Sequence, residues 1–191
     1  IANHRHNLLP ETIIMVRHGE SEGNADTTLY RTKPDNLIEL TDQGIEQALA
    51  AGERIRKIIG PDARVHLFVS PFVRTRQTAA YLRKAINSNI VMTDLDSRIR
   101  EQEFGNLQGD EHLQQREDQE FVGRYFYRFP TGESGADVFD RATNWWDNTI
   151  PVINMQRGIK SVDTVIVVSH GLTMRFILMH LNHWSVSTLH S

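Results

Sequence analysis

Two short apolar runs near opposite ends of the chain each stop at a histidine followed by a glycine. Thr12-Ile13-Ile14-Met15-Val16 leads into Arg17-His18-Gly19-Glu20, and Val165-Ile166-Val167-Val168-Ser169 leads into His170-Gly171. Runs this short, continuous and β-branched read as strands buried on both faces, the pattern of a parallel sheet. Val65 to Ser70 and Ile90 to Thr93 read as two more strands, with Asp163 to Ser169 the fourth. Between them lie helical patterns. Thr41 can cap a helix whose Ile45, Leu49, Gly52, Ile55 and Ile59 are spaced for one buried face, ended by Gly60-Pro61. A helix is expected from Pro71 to about Asn87 and a last one from Leu172 to about Asn182. Ser134 with Asp137 resembles a capping box opening a helix through about Arg157, and Asp110 offers a cap for a short charged helix to Val122. Ser21 to Thr41 and Ser97 to Gly109 read as loops. Strands alternating with helices predict an α/β three-layer sandwich, with a mostly parallel central sheet and helices on both faces.

Composition narrows the function classes. With 191 residues, the chain fits one domain, 1–191, with residues 1–11 expected as a flexible end. A net charge of −3 argues against general nucleic-acid binding, though not against a local cationic pocket. The absence of cysteine removes disulfides, thiolate metal sites and a thiol nucleophile. No apolar run approaches the ~18 residues that span a membrane. The start, Ile1 to Pro10, lacks the apolar core of a signal peptide, and an initial Ile in place of Met fits a trimmed chain or fragment. A cytoplasmic enzyme is expected; oligomeric state is not legible.

In open parallel sheets, ligands bind beyond the carboxyl ends of the strands. Arg17, His18, Ser70, Ser169 and His170 all fall at such ends. An arginine beside a histidine makes an anion the expected guest, and a histidine can attack phosphorus without a metal. Phosphoryl transfer needs a nucleophile, neutralised oxygens and a proton for the leaving group. His18 serves as nucleophile if a backbone carbonyl holds one ring nitrogen. Arg17 can grip phosphate in a fork, and Arg74 can supply a second. His170 can donate, as a cation or neutral, to an equatorial oxygen. Glu101 and Glu103 are the two candidates for the proton donor, a carboxyl whose pKa a nearby dianion would raise. Each piece alone has a plain structural explanation, a loop, a helix cap or a solvated charge; their joint order along the chain is what carries weight.

With those residues in place, the chain resembles the histidine phosphatase (phosphoglycerate mutase-like) superfamily over about residues 12 to 182. The resemblance rests on Arg17-His18-Gly19-Glu20-Ser21-Glu22-Gly23-Asn24, on Leu40-Thr41 with Gly44, Gln47 and Ala48, and on Ser70-Pro71 with Arg74, Gln77, Thr78 and Ala79. Glu101 with Gly105 and Ser169-His170-Gly171 complete it. It implies a phosphohistidine on His18, a phosphate pocket of Arg17, Arg74 and His170 with Asn24 as a further contact, Glu101 rather than Glu103 as acid and then base, and no metal or organic cofactor. Gly23 stands where mutases of the superfamily usually carry Trp, the segment from Glu101 to Ser134 is short, and the chain stops soon after the last helix; all three favour a phosphatase.

Tyr125 to Ser134 resembles the matching stretch of the fructose-2,6-bisphosphatases, which implies Arg124, Gly171 and Arg175 as substrate positions. The chain differs from that family at Gly171, where it has a glutamine, and at Glu120, where it has another arginine. The same stretch, with Arg100 to Gly105, is also similar to mutase-like proteins of plants and fungi. The alternation of Tyr125, Tyr127 and Phe129 equally suits one face of an extended segment packed on the core.

The leading expectation is therefore a metal-independent, acid-phosphatase-type phosphomonoester hydrolase acting on a small phosphorylated metabolite. The alternatives are a mutase-type phosphotransferase, which needs a bisphosphorylated primer and a water-excluding lid, and a non-catalytic phosphate-binding module. A metal hydrolase built on the nine histidines is the weakest, because His4 and His6 lie in the expected flexible end and His180 and His183 lack a carboxylate nearby in sequence.

Overall fold

The computed structural model describes residues 9–105, 111–155 and 162–190. Strands β1 (Thr12–Arg17), β2 (Val65–Val69), β3 (Ile90–Leu95) and β4 (Thr164–Ser169) form one parallel sheet in the order β1-β4-β2-β3. β2 and β4 are buried at every position and hold the centre, whereas β1 and β3 at the edges are partly exposed. The helices are α1 (Glu22–Ala25), α2 (Asp42–Ile59), α3 (Val73–Ile86), α4 (Glu111–Val122), α5 (Gly135–Thr149), α6 (Gly171–Leu181) and α7 (Val186–His190).

Successive strand residues point to opposite faces of a sheet. Leu67, Val69, Ile166 and Val168 accordingly enter one core with Ile55 of α2 and Leu82 and Ile86 of α3. Phe68, Val165 and Val167 enter the other with Ala142 and Trp145 of α5 and Ile177 of α6. This is the expected sandwich. Trp145 is fully buried, and its neighbour Trp146 packs on its edge at 6.2 Å.

Several expectations are corrected. The buried stripe of α2 is Gly44, Ala48, Gly52 and Ile55; Leu49 is exposed and Ile45 only partly covered. Small residues prevail there because α2 presses closely on its neighbours: a Cβ on Gly52 would sit 2.6 Å from the Leu82 carbonyl oxygen. The segment 21–41 is not bare loop but carries α1 and two 3-10 turns, Thr27–Arg31 and Asp35–Leu37. α5 ends at Thr149, because Pro151, with no N–H, turns the chain into a 3-10 segment. α6 is not the last helix, since α7 follows. Residues 1–8, the Asp110 cap and the Arg157 helix end lie outside the described residues. Among the described residues, no helix is long and apolar enough to cross a membrane.

Candidate active site

Parallel register lines up the strand ends. Arg17 pairs with Ser169, the His18 N–H donates to the Ser169 carbonyl at 3.1 Å, and the Ser70 N–H donates to the Val168 carbonyl at 3.0 Å. The tails of β1, β4 and β2 thus leave the sheet side by side. The His18 and His170 rings meet there, 5.3 Å apart between centroids, with Phe72 5.0 Å from His170.

His18 is 8% exposed, and its Nδ1 lies 2.7 Å from the Gly19 carbonyl oxygen. A carbonyl only accepts, so the proton sits on Nδ1 and Nε2 keeps its lone pair. Burial lowers the pKa of this ring to about 4; the Gly19 bond opposes that, and the Arg74 and Arg17 charges add to it. The Gly19 carbonyl is itself well placed. The Gly19 N–H donates to Thr78 Oγ1 at 3.1 Å, and the 19–20 turn rides directly on the first turn of α2, so that a Cβ on Gly44 would collide with the Glu20 carbonyl. Thr41, Gln47 and Gln77 fasten the same turn through Glu20 and Leu40.

His170 is fully buried, and burial first, then the Arg74 charge, hold its pKa well below the usual histidine value. Its Nε2 is 2.8 Å from Ser70 Oγ, and its Nδ1 has no partner among the described residues. Either Ser70 Oγ or Nε2 can donate in the bond they share, and burial disfavours the cationic ring. Ser70 was visible at a strand end, but its grip on His170 crosses from β2 to β4, which no local pattern reveals.

Glu101 is held by its backbone. Ser169 Oγ donates to the Ile99 carbonyl (2.7 Å), Thr173 Oγ1 to the Arg100 carbonyl (2.7 Å), and Arg141 to the carbonyls of Arg98, Arg100 and Glu101. Arg141 is fixed in turn by Glu133, at 2.9 Å through both Nε and Nη2. Neither Arg141 nor Glu133 was foreseen; both act through carbonyls distant in sequence. Burial pushes the Glu101 carboxyl up to about 6, with Asp35 adding to the rise, while the Gln102 N–H and the charges of Arg74 and Arg141 oppose it. Glu103 does not line the cleft; its amide binds Glu133 Oε2 at 3.0 Å.

A cleft of about 480 Å³ opens over these groups, lined by Arg17, His18, Asn24, Arg74, Glu101 and Arg124 among the expected residues. His170 adjoins it through the His18 ring. Asn24 spends its Oδ1 on the Ser21 N–H (3.1 Å) and hydroxyl (3.0 Å), which leaves its amide N–H groups for a ligand. Gly171 opens α6 beside Arg17, with room for a Cβ 3.6 Å from Arg17 Nε. Arg175 is exposed on α6 and is not a lining residue. Tyr30, Arg31, Asp35, Phe104, Glu120 and Phe129 are among the other wall residues. Tyr125, Tyr127 and Phe129 are less exposed than Arg124, Phe126 and Arg128, as a packed face requires, but 124–126 form a turn rather than an extended segment, and Phe129 is buried yet touches the cleft. Among the described residues, no group of three or more His, Asp or Glu is placed to hold a metal ion.

Residues 13–191 match the histidine phosphatase superfamily (branch 1). The chain is 44% identical over 189 residues to phosphoglycerate mutase-like protein AT74 of Arabidopsis thaliana, covering 94% of this chain and 60% of that protein. It is 23% identical over 275 residues to broad-range acid phosphatase DET1 of Saccharomyces cerevisiae, with coverage of 97% and 82%. Among solved structures, a mycobacterial glucosyl-3-phosphoglycerate phosphatase superposes with a TM-score of 0.69 at 25% identity, over 93% of this chain and 82% of that one.

Proposed function

The chain belongs to the histidine phosphatase superfamily (branch 1), and on that basis we propose that it is a phosphomonoester hydrolase acting through a phosphohistidine on His18, with residues 1–191 forming a single catalytic domain. The observation that carries the reading is the 2.7 Å contact of His18 Nδ1 with the Gly19 carbonyl, which leaves Nε2 as a neutral nucleophile. His18 Nε2 attacks phosphorus in line, the bond from phosphorus to the leaving oxygen breaks, and Glu101 gives that oxygen its proton. Water then attacks the phosphohistidine and passes a proton to the Glu101 carboxylate. The phosphorus–nitrogen bond breaks, and orthophosphate leaves with His18 neutral again. Arg17 and Arg74 neutralise the equatorial oxygens, the Asn24 amide donates to them, His170 is the further donor beside His18, and each preorganised donor is worth about 3 kcal/mol of barrier. No step calls for a metal.

The substrate is a small phosphorylated metabolite, in keeping with the size of the cleft and with the names of the phosphatases this chain is similar to. Arg124 is the residue placed to meet a group beyond the phosphate.

Phosphate release by wild type and His18→Ala, in EDTA, tests the reading over p-nitrophenyl phosphate, sugar phosphates, phosphoglycerates and nucleotides. Release by wild type and a loss of several orders of magnitude in the variant is the expected result. Full activity in the variant would overturn the mechanism. No release by folded wild type would turn the reading toward a primer-dependent phosphotransferase or a phosphate-binding module.

A further inference from the structure

The two arginines of the cleft are in different states. Arg17 is exposed at the end of β1 and makes no ion pair among the described residues. Arg74 is 3% exposed and already engaged by a carboxylate. Its Nη1 donates to Asp35 Oδ1 at 2.8 Å and to the Asp35 carbonyl at 2.7 Å, and its Nη2 approaches Oδ2 at 3.4 Å. Both hydrogens of Nη1 are therefore spent on one residue. A guanidinium facing a carboxylate in this forked way presents the geometry it would offer to phosphate. The carboxylate belongs to a residue that itself lines the cleft, beside Glu101 and His18.

The chain on either side of Asp35 is anchored by other groups. Lys33 is tied to Glu22 of α1, and Ile38 is fully buried, with the Leu40 N–H donating to Gln77 on α3. Between those anchors, Asp35–Leu37 is a single 3-10 turn with no buried residue. The Asp35 side chain keeps 19% of its surface open to water, so a carboxylate that swings out is resolvated without crossing apolar surface.

We infer that Asp35 is an anion-mimicking latch on the phosphate pocket, a positioning residue whose carboxylate holds the Arg74 fork and competes for it with a phosphoryl group. This rests on the phosphatase reading above. It has two consequences. The latch keeps a buried cation from standing uncompensated, a state that costs far more than an exposed one. It also weakens the hold on every phosphate dianion, including the orthophosphate product, because a negative charge must leave or share the fork each time one binds. Removing the charge while keeping the shape should thus tighten anion binding, opposite in sign to the loss of an ordinary binding contact.

The test is calorimetric titration of orthophosphate and of orthovanadate into wild type, Asp35→Asn, Asp35→Ala and Asp35→Glu at one pH and ionic strength, with product inhibition measured beside it. Both neutral variants should bind phosphate at least about tenfold more tightly, the lower end of what a hydrogen bond to a charged group is worth, with phosphate inhibition strengthened alike. Asp35→Glu, which restores a carboxylate, should return affinity toward the wild-type value. Unchanged or weaker binding in Asp35→Asn and Asp35→Ala would overturn the latch and leave Asp35 as a plain orienting partner of Arg74. No phosphate or vanadate binding by wild type or any variant would overturn the phosphatase reading and the latch with it. The Asp35→Ala variant guards against a fold defect peculiar to Asn.

Discussion

The floor and the walls of the cleft are made by different means. The floor consists of residues one or two steps beyond β1, β2 and β4: His18 is 8% exposed, and Ser70 and His170 are fully buried. Their places follow from the ladder itself, since backbone bonds such as His18 N–H to the Ser169 carbonyl extend the sheet to the residues that hold the chemistry. The walls come from the segments 21–41, 101–105 and 119–129, with side-chain bonds that reach across the fold: Arg74 to Asp35, Gln77 to Leu40, Arg141 to Glu101. A group placed by backbone pairing is fixed by register, and its surroundings can set its protonation state. A group placed by side chains depends on each partner separately, and can be moved or exchanged. On this view, substitutions in the floor change the chemical step, and substitutions in the walls change affinity.

Glu101 tests the boundary most sharply, since a wall segment supplies a reacting group. Replacement by Gln keeps the shape and removes the proton, and general acid catalysis is worth about 10²–10⁴-fold. The kcat/KM for alkyl phosphates, which reads the transfer to His18 and not the later attack of water, should fall by that factor and that for p-nitrophenyl phosphate by much less, because nitrophenolate leaves unaided. The pH profile gives the sign independently. His18, lowered to about 4, is neutral and nucleophilic above that pH; Glu101, raised to about 6, carries its proton below that one. The kcat/KM for alkyl phosphates should therefore rise through about pH 4 and decline through about pH 6. The alkaline limb should vanish in Glu101→Gln. Equal losses for good and poor leaving groups, or an unmoved limb, would remove Glu101 from the acid role.

Gly44→Ala asks whether the floor is as rigid as its hydrogen bonds imply. In a helix, alanine is favoured over glycine by about 1 kcal/mol. Here the new Cβ collides with the Glu20 carbonyl, and the displaced turn includes Gly19, whose carbonyl holds the His18 ring. The expected outcome reverses the propensity: a loss of about 1–3 kcal/mol from overpacking, seen as a lower Tm, with kcat reduced about tenfold by misplacing the nucleophile. A variant with a higher Tm and unchanged kcat would show that the turn yields freely, and the contrast between floor and wall would lose its basis.

What was legible in the sequence divides along the same line. The strands β1, β2 and β4 and the residues at their ends could be read because apolar periodicity marks a strand and a strand's end marks a ligand edge. The buried face of α2 was misread at Leu49, because hydrophobicity was followed where close packing selected Gly44, Ala48 and Gly52 instead. Asp35, Ser70 as partner of His170, and the Arg141–Glu133 pair were not readable as parts of the site, since Asp35 acts across 39 residues, Ser70 across 100, and Arg141, itself only 8 residues from Glu133, across 40 to reach Glu101. Asp35 in particular looks like any acidic turn residue until α3 brings Arg74 against it.

The smallest expected effects separate two arginines that family resemblance treats alike. Arg124 lines the cleft and Arg175 does not, although the sequence resemblance implied both as substrate positions. If Arg124 meets a polar group of the substrate, Arg124→Ala removes one charge-assisted bond of about 1.5–3 kcal/mol, and KM should rise about tenfold or more with kcat nearly kept. Arg175→Ala is a change on an exposed helix face, where substitutions stay within about 0.5 kcal/mol, and should alter KM by no more than about twofold. A rise in KM for Arg175→Ala matching that for Arg124→Ala would mean that α6 or the substrate reaches farther than the cleft walls. The resemblance in sequence would then be a better guide to the substrate than the shape of the site.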